Sequence, residues 1–153
     1  MLSITYPTLA EVDQTQLLAI LNAQSTRSHL VAHNPFNPHS LQQWVTDKQA
    51  LDDQPGYKVR AVVVDDELAG WCGLQPDEQS VEAAIVVAKH YWGLGPRVFA
   101  DLLHWAKSFG HKEVVIHLLH SRRVYRHLER RAIRMATSER LGQRFTSYVF
   151  AVE

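Results

Sequence analysis

The chain predicts one α/β domain of the α+β kind over residues 1–153: a mixed, mostly antiparallel, twisted sheet flanked by about four helices. Three observations predict it. The length matches the usual ~100–200 residues of a single domain, with no linker and no repeat to divide it. The hydrophobic period changes near residue 57, from helical spacing to strand-like runs. The connections between those runs are short enough for hairpins, which makes their pairing antiparallel.

The elements follow in order. Ser3–Tyr6 is a short strand stopped by Pro7. Thr8-Leu-Ala-Glu11 has the capping-box pattern, and Leu9, Val12, Leu17, Leu18 and Leu21 continue at near-helical spacing. Ser25–His39 is polar, holds Pro35 and Pro38, and reads as a long loop. Ser40-Leu-Gln-Gln43 is a second capping-box pattern and opens a helix through Trp44 to Leu51. Tyr57–Val64 and Leu68–Leu74 are strands about an Asp65-Asp66-Glu67 turn. Val81–Ala88 is a nearly continuous apolar run, as expected of a central strand buried on both faces. Val98, Leu102, Trp105, Ala106 and Phe109 form a helical stripe that Gly110 closes. Val114–Leu119 is a strand, Ser121 caps an arginine-rich helix to about Arg131, and residues 133–138 and 145–152 form a final hairpin. The order is β-α-α-β-β-β-α-β-α-β-β.

Composition narrows the function classes. Hydrophobic residues at 46% and charged residues at 21% exclude a disordered chain. No apolar run approaches the ~18 residues of a membrane span. The start, MLSITYPTLAEVDQ, lacks the basic and apolar regions of a secretory signal. The lone Cys72 can form no internal disulfide, which fits a reducing compartment, so a cytoplasmic location is expected. The zero net charge hides an asymmetry. Residues 1–88 carry 4 basic against 11 acidic groups, and residues 89–153 carry 12 against 5. This charge pattern fits either mutual attraction across the domain or a polyanionic partner for the second half, such as a phosphorylated cofactor or nucleic acid.

The segment Val87-Ala-Lys-His-Tyr-Trp-Gly-Leu-Gly-Pro-Arg97 carries most information. A buried strand runs into Gly93 and Gly95, and Pro96 then starts an amphipathic helix. The glycines allow close approach of a ligand and conformations closed to other residues. The unpaired N–H groups of the helix start would face an anion. No GxxxxGK[ST] is present, and a dinucleotide loop would follow the first strand of a parallel sheet rather than the fourth strand after hairpins.

The placement of these glycines resembles that of the GNAT superfamily of acyl-CoA-dependent N-acyltransferases, whose loop reads [QR]-x-x-G-x-[GA] after V-x-P-x-Y. Val87, Tyr91 and Gly95 fall on the pattern, and Gly93 on a frequent extra glycine. Trp92 stands for Gln or Arg, Lys89 for Pro, and Arg97 for the last Gly or Ala. The resemblance spans the whole order of elements, with its specific part at about residues 81–131. It implies that the amides of Trp92, Gly93, Leu94, Gly95, Pro96 and Arg97 (proline contributing position rather than an N–H) hold the CoA pyrophosphate. It implies that Ile85, Val86 and Val87 pair with the pantetheine arm, and that an amide near Val87 polarises the thioester carbonyl.

The family's next helix reads roughly N-x-x-[AS]-x-x-L-Y-x-K-L-G-F. Ser121, Val124, Tyr125 and Leu128 match it, while Leu118, Glu129 and Arg130 replace Asn, Gly and Phe. Tyr125 is thus the implied acid: a phenol of pKa ~10 can protonate a departing thiolate of pKa ~8.5. Glu82, at the family's glutamate offset before the valine, is the implied base. His29 and His33 lie in the first long loop, which covers the substrate in the family, and so fall in the implied acceptor site. The histidine pairs His29/His33 and His117/His120 lack an HExxH, a CxxC or a third ligand, so no metal is expected. Arg122, Arg123, Arg126, Arg130, Arg131 and Arg134 crowd one helix and its exit; they form a solvated face or meet the 3′-phosphate of CoA. With little aromatic interleaving, that helix is not expected to bind nucleic acid.

The expected activity is acetyl transfer from acetyl-CoA, a co-substrate, to a primary amine by direct attack. The acceptor is a small molecule or peptide: small amine, antibiotic, amino acid and protein terminus all stay open, as does a homodimer. The alternative is a non-catalytic basic nucleic-acid or protein-binding module with the same fold.

Overall fold

The computed structural model describes residues 2–23, 35–78, 80–119, 126–140 and 143–152. A seven-stranded sheet runs through it in the order β1-β2-β3-β4-β5-β7-β6. The strands are β1 Ile4–Thr5, β2 Lys58–Val64, β3 Glu67–Pro76, β4 Val81–Val87, β5 Glu113–Leu119, β6 Arg134–Arg140 and β7 Gln143–Ala151. Every neighbouring pair is antiparallel except β4 and β5, which are parallel. The α-helices described are α1 Gln14–Asn22, α2 Pro38–Asp52, α3 Gly95–Ser108 and α4 Arg126–Arg131. None is long and apolar enough to cross a membrane.

Two cores hold the layers. On one face, Leu17 and Leu21 of α1 and Leu41 and Val45 of α2 pack on Val59, Ala61, Trp71 and Val86. On the other, Val98, Phe99, Leu102 and Ala106 of α3 and Leu128 of α4 pack on Cys72, Leu74, Val114, Tyr148 and Phe150. Burying one Leu or Phe side chain contributes roughly 1.5–3 kcal/mol, so each helix is fixed by its apolar stripe more than by propensity.

Local signals shift three boundaries. The Thr8 box does form, but it closes only a three-residue 3₁₀ turn, Leu9–Glu11. The helix restarts at Gln14, where the Asp13 carboxylate accepts from the Gln16 amide at 3.0 Å. The second helix begins earlier than Ser40. Asn37 is its cap and accepts from the Ser40 amide at 2.8 Å, while Ser40 Oγ accepts from the Asn37 amide at 2.9 Å. Pro38 sits in the first turn, where its missing N–H loses nothing, so the expected loop ends before it. Ser121 and the first turn of the arginine helix lie outside the described residues.

The hairpins follow their turn chemistry. Asp65 and Asp66 both have positive φ, 49° and 69°, the pattern of a two-residue primed turn. Gly110 has φ 86° and terminates α3 as expected. Between β2 and β3 the register steps: Val62 faces Gly70 but Val63 faces Leu68, so Ala69 is the extra residue of a bulge. The bulge turns Trp71 toward α1 and α2 and Cys72 toward α3. Gly70 is required here. A Cβ on it would lie 2.0 Å from the Val86 carbonyl oxygen and 2.7 Å from Val87 Cα.

Candidate active site

The sheet splits between its two parallel strands. β4 pairs with β3 along all seven residues, Val81 to Val87. With β5 it pairs only at Val81–Val114 and Glu82–Val115. β5 meanwhile stays paired with β7 from Glu113 to Leu119. A fork therefore opens beyond Glu82, with Ala83–Val87 on one wall and Ile116–Leu119 on the other. The Ala88 amide donates to the Ala69 carbonyl at 2.8 Å, on the β3 side. Alternation along the strand then turns the backbone polar groups of Val87 and Ile85 to the fork. The central strand is accordingly less buried than its apolar run predicts: Glu82, Ala84 and Ile85 are half-buried. Ala84 and Ile85 lie beyond the last β5 pair, and Glu82 stands at it.

The glycine loop sits at the open end of the β4 wall. Lys89–Leu94 is a 3₁₀ turn and α3 starts at Gly95. The expectation that these glycines adopt conformations closed to other residues is not met. Gly95 has ordinary helical angles, φ −49° and ψ −50°, and Gly93 does not fall in the left-handed region either. What the glycines provide is room. A Cβ at either position would meet nothing within 4 Å. The start of α3 also has no side-chain cap, so no side chain occupies the place of an anion at its first amides. Arg97 stands in that first turn, more than half exposed, with its Nε 3.6 Å from Asp101 Oδ2. Asp101 in turn accepts from the Tyr6 hydroxyl, which ties the helix to the chain's beginning. Burial, then the Asp101 contact, pushes the Tyr6 phenol well above its ordinary range.

Trp92 and Tyr91 have definite partners. The Trp92 indole N–H donates to the Val87 carbonyl at 3.1 Å, across the mouth of the fork. The Tyr91 hydroxyl donates to Glu67 Oε2 at 2.8 Å, and this bond raises its pKa. The sequence-predicted cofactor residues Ile85, Val86, Val87, Trp92, Gly93, Leu94, Gly95, Pro96 and Arg97 thus form one continuous surface from the β4 wall to the first turn of α3. Within it Val86 points away from the fork into the α1/α2 core and contributes packing.

Glu82 lies on the α1/α2 face of the sheet at the base of the fork, beside Gln75 in register. Tyr125, His29 and His33 lie outside the described residues. Phe36 and Asn22 bracket the segment that carries the two histidines. Asn22 Nδ2 donates to the Phe36 carbonyl and Asn22 Oδ1 accepts from the Phe36 amide, both at 2.8 Å.

Sequence reasoning missed two groups on this face. His117, on the β5 wall, is buried with Nδ1 2.6 Å from Ser147 Oγ and Nε2 3.0 Å from Asp77 Oδ1. Its partners are 30 and 40 residues away, so no local motif announces them. Lys48 of α2 extends over the indoles of Trp44 and Trp71 and donates to Gln75 Oε1. Burial lowers its pKa, against the attraction of Glu82 and Asp47. Among the described residues, no group of three or more His, Cys, Asp and Glu is placed to hold a metal ion. Cys72 is buried and desolvation raises its thiol pKa, so it is no nucleophile.

An open β4 edge that runs into an uncapped, glycine-lined helix start is the arrangement the sequence resemblance implied for residues 85–97. The family model for the acetyltransferase (GNAT) family matches residues 17–129, more than half of the chain. This protein belongs to that family. A search of curated protein sequences gives no match. Solved structures share the fold of this GNAT acyltransferase at low identity. A Bordetella pertussis protein, named as a candidate GNAT-family acetyltransferase, is 17% identical with a TM-score of 0.78, covering 97% of this chain and 95% of its own. The acetyltransferase of GNAT family from Streptococcus pneumoniae is 14% identical with a TM-score of 0.70 over 100% of both chains. The ribosomal-protein-alanine N-acetyltransferase of Brucella melitensis is 17% identical with a TM-score of 0.71, covering 97% and 99%. The GNAT enzyme described here is an acyltransferase on a single sheet.

Proposed function

We propose that this enzyme moves an acetyl group from acetyl-CoA to a primary amine by direct attack. The observation that supports this most is the joining of a half-open fork to an uncapped helix start with bare space over Gly93 and Gly95. A pyrophosphate needs donors and room for its oxygens; the bare glycines leave the room and Arg97 stands beside it, while the Gly95 N–H bonds to the Trp92 carbonyl before a ligand arrives. Acetyl-CoA supplies an activated thioester when bound.

The chain's own residues do the rest. The amides of Trp92, Gly93, Leu94, Gly95 and Arg97 hold the diphosphate, and Arg97 adds a guanidinium beside it. The fork-facing groups of Ile85 and Val87 take the pantetheine arm, which lifts the Trp92 indole from the Val87 carbonyl. An amide near Val87 stabilises developing negative charge on the carbonyl oxygen, an effect of ~10²–10³ in rate for donors of this kind. Glu82, directly or through water, takes the proton that the attacking amine must lose. Tyr125 donates its phenolic proton to the departing sulfur. The N–C bond forms as the C–S bond breaks, and both protons are accounted for.

The experiment is a thermal shift with acetyl-CoA. At 100 times the dissociation constant the gain is ~2.7 kcal/mol. Gly95→Asp removes that shift by placing a carboxylate where the phosphates sit. The free variant folds normally, because a side chain there meets nothing and an acid suits a helix N-terminus. A variant that keeps the full shift overturns the placement of the site.

A further inference from the structure

The face opposite α3 carries a charged donor, the Lys48 ammonium, among aromatic rings, and two buried polar atoms without a partner among the described residues, Gln49 Oε1 and the Trp71 indole N–H. Lys48 reaches from α2 across the sheet. Its Nζ lies 5.0 Å from the Trp71 ring centroid and 5.7 Å from that of Trp44, one helical turn before it. The two indoles stand edge to face at 5.3 Å, and Phe36 extends the row at 6.0 Å from Trp44. An ammonium has three donors. Among the described residues its hydrogen bond goes to the neutral Gln75 amide oxygen, and no carboxylate lies within ion-pairing distance of 4.0 Å. Trp71 is 7% exposed, and its indole N–H is buried without a partner among the described residues. Lys48 thus holds a charged donor in a partly dry aromatic setting. Such a donor loses water without gaining full replacement, and an anion restores it.

Position tells what the anion is attached to. Glu82 is the register partner of Gln75, the residue that Lys48 touches, and its charge attracts the Lys48 ammonium. A carboxylate and an ammonium therefore stand side by side at the base of the fork. An amine guest bearing its own carboxylate presents the two complementary charges. A phosphate dianion calls for more positive charge than Lys48 leaves once Glu82 is counted.

We infer that the acceptor is an amino acid or a compound like it, with a free carboxylate close to its amine, and that Lys48 binds that carboxylate while Glu82 faces the amine. This rests on the acyl-transfer reading of the same fork and names its substrate class. The aromatic row of Phe36, Trp44 and Trp71 adds apolar area beside the charges and favours acceptors with an apolar side chain.

The test uses free L-amino acids, each beside its C-terminal amide. The amide keeps the amine and removes only the negative charge. Two readings are taken on the same protein: quenching of tryptophan fluorescence, which needs no acyl transfer, and thiol release with acetyl-CoA. The acids are expected to quench and to exceed their amides in kcat/KM by about tenfold or more, since a site with a desolvated charged donor rejects the analogue that cannot pair with it. Lys48→Met erases that preference in both readings, and Lys48→Arg retains it. The acetyl-CoA thermal shift is unchanged in both variants. Amides that bind and react as well as the acids overturn the inference, as does an acid preference that survives in Lys48→Met. Acid-selective quenching without thiol release supports the carboxylate site and counts against the acyl-transfer reading instead.

Discussion

The two walls of the fork are built by different means. The β4 wall is a backbone wall. Seven residues pair with β3, and the close approach depends on Gly70, over which the Val86 carbonyl passes too tightly for any side chain. The β5 wall is held by side chains as well as backbone. Beyond its seven pairs with β7, the buried His117 bridges Ser147 of β7 and Asp77 of the β3–β4 turn. The Asp77 contact crosses the base of the fork and ties the two walls where they meet. A sheet can open at its centre because each strand keeps a complete partner on its outer edge. The exposed groups are then the inner ones, available to a ligand.

Gly70→Ala breaks the β4 wall and has the largest expected effect. Its methyl group would lie 2.0 Å from backbone, where no rotamer relieves it. The loss of stability in chemical denaturation is at or above the upper end of the ~1–3 kcal/mol of overpacking. Acetyl-CoA binding falls with it, because Val86 and Val87 must move. A protein of unchanged stability and affinity would show that β4 does not need this close approach.

His117→Leu tests the β5 wall. Ser147 Oγ loses its 2.6 Å partner in a buried place, and a buried group left unsatisfied costs about 1–3 kcal/mol. The acetyl-CoA shift is retained, since the glycine loop belongs to the other wall. A variant that loses cofactor binding while remaining stable would make the two walls one cooperative unit.

The smallest effect concerns the outer end of β5. Glu113 opens that strand and pairs with Arg134 of β6, Arg134 Nη2 donating to Oε1 at 2.7 Å and Nη1 to Oε2 at 3.2 Å. The Arg134 hydrogen bond holds the Glu113 carboxyl below its ordinary pKa. A carboxyl depressed in the folded state contributes stability above its ordinary, unfolded pKa. That contribution is lost as pH falls through the lower, folded value. Arg134→Gln therefore lowers stability slightly at neutral pH and flattens part of the acid limb, the two curves meeting at low pH where the carboxyl is protonated in both; the effect is small because the pair is exposed. Parallel acid limbs in the two proteins would assign no role to this pair.

Much of the candidate site was legible for a local reason. The loop from Val87 to Arg97 is contiguous, so strand end, glycines and helix start could be read together. Glu82 was legible as a position on a strand. Lys48 was not, because a lysine on a polar helix looks solvated until β3 brings Trp71 and Gln75 beneath it. His117 was equally silent, since Ser147 and Asp77 reach it only through the β5–β7 pairing and the β3–β4 turn.

The sequence by itself determined the order of elements, the helix stops, a turn at Asp65–Asp66 and the family. These depend on residues within a turn or two of each other, where capping, periodicity and positive φ act directly. Tertiary structure decided the rest. Whether Gly95 serves conformation or space depends on what stands opposite it, and the answer is space. Whether β4 is buried on both faces depends on how far β5 accompanies it, and β5 leaves after two residues. Which charges face an acceptor depends on helices and strands that meet only after the sheet has formed. Such facts arise from long-range packing, and no short stretch of chain contains them.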